Sequence, residues 1–250
     1  MKPRVVLVTG ASRGIGRAIA LAFANQGALV GVHYHRAEEA AQETRQALPG
    51  EGHALLQANL SCQEQAAALI PQTIRAFGRL DVLVNNAGIY QSHSPTSSDA
   101  EQWQTAWQQT IATNLMAPAY LCHQAVQHML DAGGGRIINI TSRGAFRGEP
   151  DAPAYGASKA GLNALSQSLA KALAPHRIFV YAIAPGWVAT DMAAPHLEGE
   201  AGRRLQEGIP LGRVAEPEEI ARAAVFLAGE GTESMTGCIL DVNGASYLRT

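Results

Sequence analysis

The sequence predicts an α/β fold: a single domain spanning residues 1–250, built on a doubly wound parallel sheet with helices on both faces. Short β-branched runs alternate with helix-patterned segments from end to end, and that alternation is how parallel sheets are assembled. The glycines and polar residues that punctuate it fall just after the apolar runs, where open α/β sheets hold their ligands. No low-complexity linker and no repeat of fixed period divides the chain.

Residues 5–9 read as a short buried strand running into Thr9-Gly10-Ala11-Ser12-Arg13-Gly14-Ile15-Gly16; Ala18, Ile19, Leu21, Ala22 and Phe23 then recur at helical spacing until Gly27 stops them. Residues 29–34 give a second strand, 37–48 a helix, 53–58 a third strand and 63–77 another helix. A strand over 81–84 ends in Asn85-Asn86-Ala87-Gly88 and leads to one long helix over 102–131. Then come a strand over 136–140, the helix bearing Tyr155, a strand over 178–184 broken by Pro185-Gly186, a helix over 217–228 and a strand over 238–242. Six or seven strands result. The glycine turn, Asn85 to Gly88, Thr141-Ser142 and Pro185-Gly186 each follow a strand, so four distant segments converge on one crevice.

Composition narrows the function. With 47% hydrophobic residues, 16% charged and a net charge of -2, the chain buries a sizeable core and offers neither a basic footprint for nucleic acid nor a polybasic membrane anchor. The apolar run 5–8 is too short for a signal-peptide core, and no segment reaches the length of a membrane span. Cys62, Cys122 and Cys238 are odd in number and widely spaced, which suggests neither a disulfide framework nor a zinc site. His33 and His35 alternate on a strand without a third ligand, so no metal is expected. The expectation is cytoplasmic small-molecule chemistry.

Tyr155-Gly156-Ala157-Ser158-Lys159 carries the first chemical signal. Residues four apart lie one above the other on a helix face, and an ammonium beside a phenol favours the phenolate. The Tyr155 pKa is therefore expected to fall from about 10 toward the operating pH, as a general acid or base requires. Leu162, Leu165, Leu169 and Leu173 make a stripe beside the pair, suited to packing on the sheet. Ala157, Gly161, Ala164 and Ser168 make a small-residue stripe on the opposite side, small enough for another helix, here a second copy's, to approach.

The glycine turn carries the second signal. Strand, glycine turn and helix N-terminus make a phosphate cradle, here Gly10, Ser12, Arg13, Gly14, Ile15 and Gly16 with the spacing G-x-x-x-G-x-G. An NAD-selective site ends its second strand with an acid that binds the ribose 2'-hydroxyl. This one ends Val32-His33-Tyr34-His35-Arg36, so Arg13, Arg36 and His35 are expected to hold a 2'-phosphate, which makes NADP the expected cofactor.

T-G-A-S-R-G-I-G, N-N-A-G, Ser142, Y-G-A-S-K and P-G-W-V-A-T-D, in this order, resemble the short-chain dehydrogenase/reductase family, from the first strand to Asp241-Val242-Asn243-Gly244. The resemblance implies a Rossmann-type fold and hydride transfer between a nicotinamide and a ketone or secondary alcohol. It casts Tyr155 as the proton donor or acceptor and Lys159 as its modulator and ribose holder. Ser142 would bind the substrate oxygen, and Asn114 would keep a water that relays protons to Lys159. By the same resemblance Val188 and Thr190 hold the carboxamide beside Pro185 and Gly186, and Asn86, Ala87 and Gly88 line the adenosine ribose. Asn59 stands where the family commonly has Asp, with the Leu60 N–H available to compensate.

The resemblance also implies a substrate lid over 191–210, with Tyr90, His93, Phe146, Arg147, Trp187 and Met192 as candidates to face the pocket. Pairing of the long helices into dimers or tetramers is a further implication. The closing strand is similar to that of 3-oxoacyl carrier-protein reductases, but the carrier-docking neighbourhood reads Asp131-Ala132-Gly133-Gly134 with only Lys171 and Arg177 as cations. A general ketone or alcohol therefore ranks above an acyl-carrier thioester. The rival of another class is a catalytically silent nucleotide sensor or scaffold, which would be marked by loss of Tyr155 or Lys159.

Overall fold

The computed structural model describes residues 3–249. Its seven strands are β1 (Val5–Val8), β2 (Leu29–Tyr34), β3 (Ala54–Gln57), β4 (Val82–Asn85), β5 (Gly135–Ile140), β6 (Ile178–Pro185) and β7 (Ile239–Val242). They form one parallel sheet in the order β3-β2-β1-β4-β5-β6-β7. Strand order reverses between β1 and β4. That is where a doubly wound sheet opens a crevice at its carboxyl end.

Two cores cover the sheet. Val6 and Val8 pack with Ile19 and Phe23 of α1 (Gly14–Asn25), Ala41 of α2 (Glu38–Ala47) and Ile220 and Leu227 of α10 (Pro217–Leu227). Val5 and Leu7 point to the other face, against Leu69 and Ile70 of α3 (Gln63–Phe77), Leu121 and Met129 of α5 (Ala117–Ala132) and Leu173 of α7 (Pro153–Leu173). The period-2 alternation of β1 thus feeds both layers.

The helix expected over 102–131 is present as one unbroken helical run, but it is not α-helical throughout. It consists of α4 (Ala100–Ile111), a π turn at Ala112–Met116 and α5. The wider turn carries Asn114 inward, fully buried, and π turns interrupt helices mostly at functional sites. Three short helices were not foreseen: α6 (Gly144–Arg147), α8 (Ala194–Leu197) and α9 (Gly199–Glu207). The stripe expected on α7 is also rotated. Leu162 and Leu173 are buried, but Leu165 and Leu169 are only half-buried, and Asn163, Ser166 and Ala170 fill the sheet-facing line instead.

On the opposite side of α7, Ala157, Ala164 and Ser168 are exposed. Gly161 admits Leu115 of the π turn, whose side chain a Cβ there would meet at 2.8 Å. Among the described residues no helix is long and apolar enough to cross a membrane.

Candidate active site

The carboxyl ends of the central strands open on one cleft of about 780 Å3. Its wall takes Gly10, Ser12, Arg13, Gly14, Ile15 and Gly16 from the turn after β1, His35 and Arg36 after β2, and Asn59 and Leu60 after β3. Asn86, Ala87 and Gly88 after β4, Ser142 after β5, Tyr155 and Lys159 on α7, and Pro185, Gly186, Val188 and Thr190 after β6 also line it. Asn114 lies behind this wall rather than on it.

The turn after β1 is held open from three directions. A Cβ on Gly16 would run into the Gly10 carbonyl, so the turn needs glycine there. Asn86 donates through Nδ2 to the carbonyls of Thr9 and Gly10, at 2.8 and 3.1 Å, while the Thr9 hydroxyl accepts from the N–H groups of Asn86 and Ala87. Asn86 is thus a clamp on the cradle, and its amide hydrogens are spent there rather than on a ribose. The third support is His33, which sequence reasoning considered only as a metal ligand. Its Nδ1 accepts the Gly10 N–H at 3.0 Å and its Nε2 donates to the Ala58 carbonyl at 3.1 Å. Burial holds this ring neutral, its pKa pushed down to about 4.

The start of α1 is left open on the cleft side. Its N-cap, Arg13, makes no side-chain cap, and its first turn carries no acid. The first-turn N–H groups therefore lack a side-chain acceptor, the arrangement that favours a phosphate. Arg36 is exposed beside this turn. Arg13 also faces Asp191 across the cleft at 3.7 Å, a pair not anticipated from sequence.

The catalytic candidates are fixed by short bonds. Lys159 donates from Nζ to the Ile140 carbonyl at 2.8 Å, which pins α7 to the end of β5 two residues before Ser142. The Asn114 amide pairs with both the N–H and the carbonyl of Ile89, each at 2.9 Å, and donates to Ser158 Oγ at 3.2 Å. Ser158 in turn donates to the Tyr155 carbonyl at 2.7 Å. Asn114 therefore ties the segment after Gly88 to the helix turn that presents Tyr155.

The expected fall in the Tyr155 pKa is corrected here. Burial pushes the phenol up to about 12, the Ser142 hydroxyl draws it part of the way back, and the Glu149 carboxylate adds to the rise. Burial also pushes the Lys159 ammonium down to about 8. With the ring half-buried against Tyr90 at the cleft wall, the desolvation of a phenolate outweighs the attraction of an ammonium that is itself engaged with a carbonyl. The phenol keeps its proton at neutral pH, so this arrangement presents Tyr155 as an acid.

Of the substrate-side candidates, Tyr90, Arg147, Trp187 and Met192 line the cleft. His93 and Phe146 do not. His93 is buried, with Nδ1 on the Gln91 carbonyl and Nε2 accepting the Ala154 N–H at 3.1 Å, so it caps the helix that carries Tyr155. Phe146 stacks on Tyr247 with centroids 6.3 Å apart, under the Arg249 guanidinium. Glu149 and His196 are among the wall residues that were missed. Glu149 lies 3.5 Å from Arg147 with its side chain 13% exposed. Its place in the loop six residues before Tyr155 was the available signal.

A family model described as enoyl-(acyl carrier protein) reductase matches residues 10–245. The 3-oxoacyl-[acyl-carrier-protein] reductase of Chlamydia trachomatis is 37% identical over 243 residues, covering 96% of each chain. The 3alpha-hydroxysteroid dehydrogenase of Mediterraneibacter gnavus is 38% identical over 249 residues, covering 98% of each. Among solved structures, the angucycline C-6 ketoreductase LanV with bound NADP superposes with a TM-score of 0.86 at 34% identity, over 96% of this chain and 94% of that one. The chain belongs to the short-chain dehydrogenase/reductase family and is an oxidoreductase of that family.

Proposed function

We propose that the protein is an NADP-dependent carbonyl reductase acting on ketones, with Tyr155, Lys159, Ser142 and Asn114 as its working residues. The observation that carries this is the bond from Lys159 to the Ile140 carbonyl, which sets Tyr155 and Ser142 side by side at the end of the cleft that begins at the glycine turn. The uncapped start of α1, the cleft's volume and the cations Arg13 and Arg36 suit a dinucleotide with an extra phosphate. Bound there, the nicotinamide supplies the hydride. Ser142 Oγ and the Tyr155 hydroxyl bind the carbonyl oxygen, and Tyr155 gives up its proton as charge develops on that oxygen. Lys159 offsets the negative charge left on the phenol, and Asn114 keeps the turn that holds both residues from shifting.

Residues 191–210 serve as the lid, since Asp191, Met192, Ala193 and His196 reach the cleft from that segment. The exposed small face of α7 meets its copy in a homo-oligomer. Turnover of NADPH and NADH with a panel of ketones and alcohols tests the reading. Ketone-dependent oxidation of NADPH, faster than of NADH, is expected; no turnover with any substrate would favour the silent sensor.

A second reading, reduction of a 3-oxoacyl thioester on a carrier, is favoured by the Chlamydia relative. Against it, α5 ends in Asp131 before a glycine turn, and Arg4, Arg79 and Arg136 beside that turn are paired with Glu230, Asp81 and Glu233. The panel should include a short 3-oxoacyl thioester.

A further inference from the structure

The reacting phenol is the first of four rings in contact. Tyr155 meets Tyr90 with centroids 5.1 Å apart and planes at 65°, and Tyr90 meets His196 at 6.0 Å and 79°. His196 meets Trp187 at 5.4 Å and 42°. These rings come from separate segments: α7, the stretch after β4, the short helix α8 and the turn after β6. All four line the cleft. His196 alone bridges Tyr90 and Trp187, and it is exposed on a helix of four residues, so nothing in the core requires a ring there.

We infer that His196 is a specificity-determining residue, closing an aromatic wall that selects cyclic ketones fused to a flat aromatic ring. The inference rests on the ketoreductase reading above. Edge-on and tilted rings present faces and edges in alternation, and a planar substrate gains from such surfaces where a flexible chain of equal carbon count pays to be ordered against them. The ketone of such a ring reaches Tyr155 at one end of the wall while the rest of the ring system lies along Tyr90, His196 and Trp187. Removing one aromatic contact of this kind costs a factor of about two to ten.

The test compares two ten-carbon ketones, 2-tetralone and 2-decanone, with NADPH and the full chain. Wild type should show at least tenfold higher kcat/KM for 2-tetralone. His196→Ala should lower that value about fivefold, mainly through KM, and lower 2-decanone by a clearly smaller factor, so that the ring preference narrows; His196→Phe should restore the preference. Equal use of the two ketones by wild type, an equal loss on both in His196→Ala, or no rescue by His196→Phe would overturn the inference while leaving the reductase reading standing. Turnover of neither ketone, with NADPH binding intact, would overturn that reading and the inference with it.

Discussion

His33 accepts the N–H of Gly10 on Nδ1 at 3.0 Å, so a side chain inside β2 sets the geometry of the turn after β1. Protonation would turn that acceptor into a donor facing a donor. In the folded chain the ring resists protonation until about pH 4, whereas the unfolded chain takes up the proton near 6.5. The His33 contribution to stability is thus complete above pH 6.5 and is lost as pH falls through that window, by about 3 kcal/mol.

His33→Val removes this dependence and strands the Gly10 N–H, at a cost of about 1–3 kcal/mol at pH 7. Urea unfolding should show the variant less stable at pH 7 and converging on wild type near pH 4.5. Parallel loss of stability in both proteins would refute the role.

Cofactor choice should turn on Arg36. A charge-assisted hydrogen bond is worth ~1.5–3 kcal/mol, so Arg36→Asp should lower kcat/KM for NADPH tenfold to a hundredfold and raise the NADH ratio. Arg13 divides its attention between the cleft and Asp191, and Asp191→Asn is therefore expected to tighten NADPH binding a few-fold. Unchanged preference in Arg36→Asp would remove the phosphate clamp from the account.

The pH profile follows from Lys159. Its ammonium deprotonates near 8 and the Tyr155 phenol near 12. In steady-state assays kcat for ketone reduction should hold steady from about pH 6 to 7 and decline as pH rises through about 8. A profile that climbs across that range would mean that the phenolate is the working form.

Assembly is tested on the exposed face of α7. Ala164→Arg sets a long charged side chain among Ala157 and Ser168, all solvent-facing in the single chain. Light scattering at micromolar concentration should give a dimer or tetramer for wild type and a smaller species for the variant. A monomeric wild type would sink the homo-oligomer.

The sheet was legible because its strands are short apolar runs, most of them rich in β-branched residues, and β1, β4, β6 and β7 end at or beside glycine or Asn. The cleft was legible for the same reason, since its wall residues sit at strand ends. What escaped depends on contacts without a sequence period. The π turn at Asn114 is stabilised by Ile89, 25 residues away, and nothing in the 3.6-residue pattern marks it. The Leu165 and Leu169 stripe was misplaced because Asn163 and Ser166 are buried polar residues, with Ser166 accepting from Asn139 at 2.8 Å. The direction of the Tyr155 pKa was missed because spacing reveals a neighbouring charge and burial reveals itself only in three dimensions.

The central claim is that the Tyr155 hydroxyl is the acid, and Tyr155→Phe tests it most directly. General acid catalysis contributes about 10²–10⁴ in rate, while the ring that packs on Tyr90 is kept. Single-turnover reduction of a good ketone, measured beside NADPH affinity, should show kcat down at least a hundredfold with affinity within a few-fold of wild type. Retention of more than a tenth of wild-type activity would contradict it.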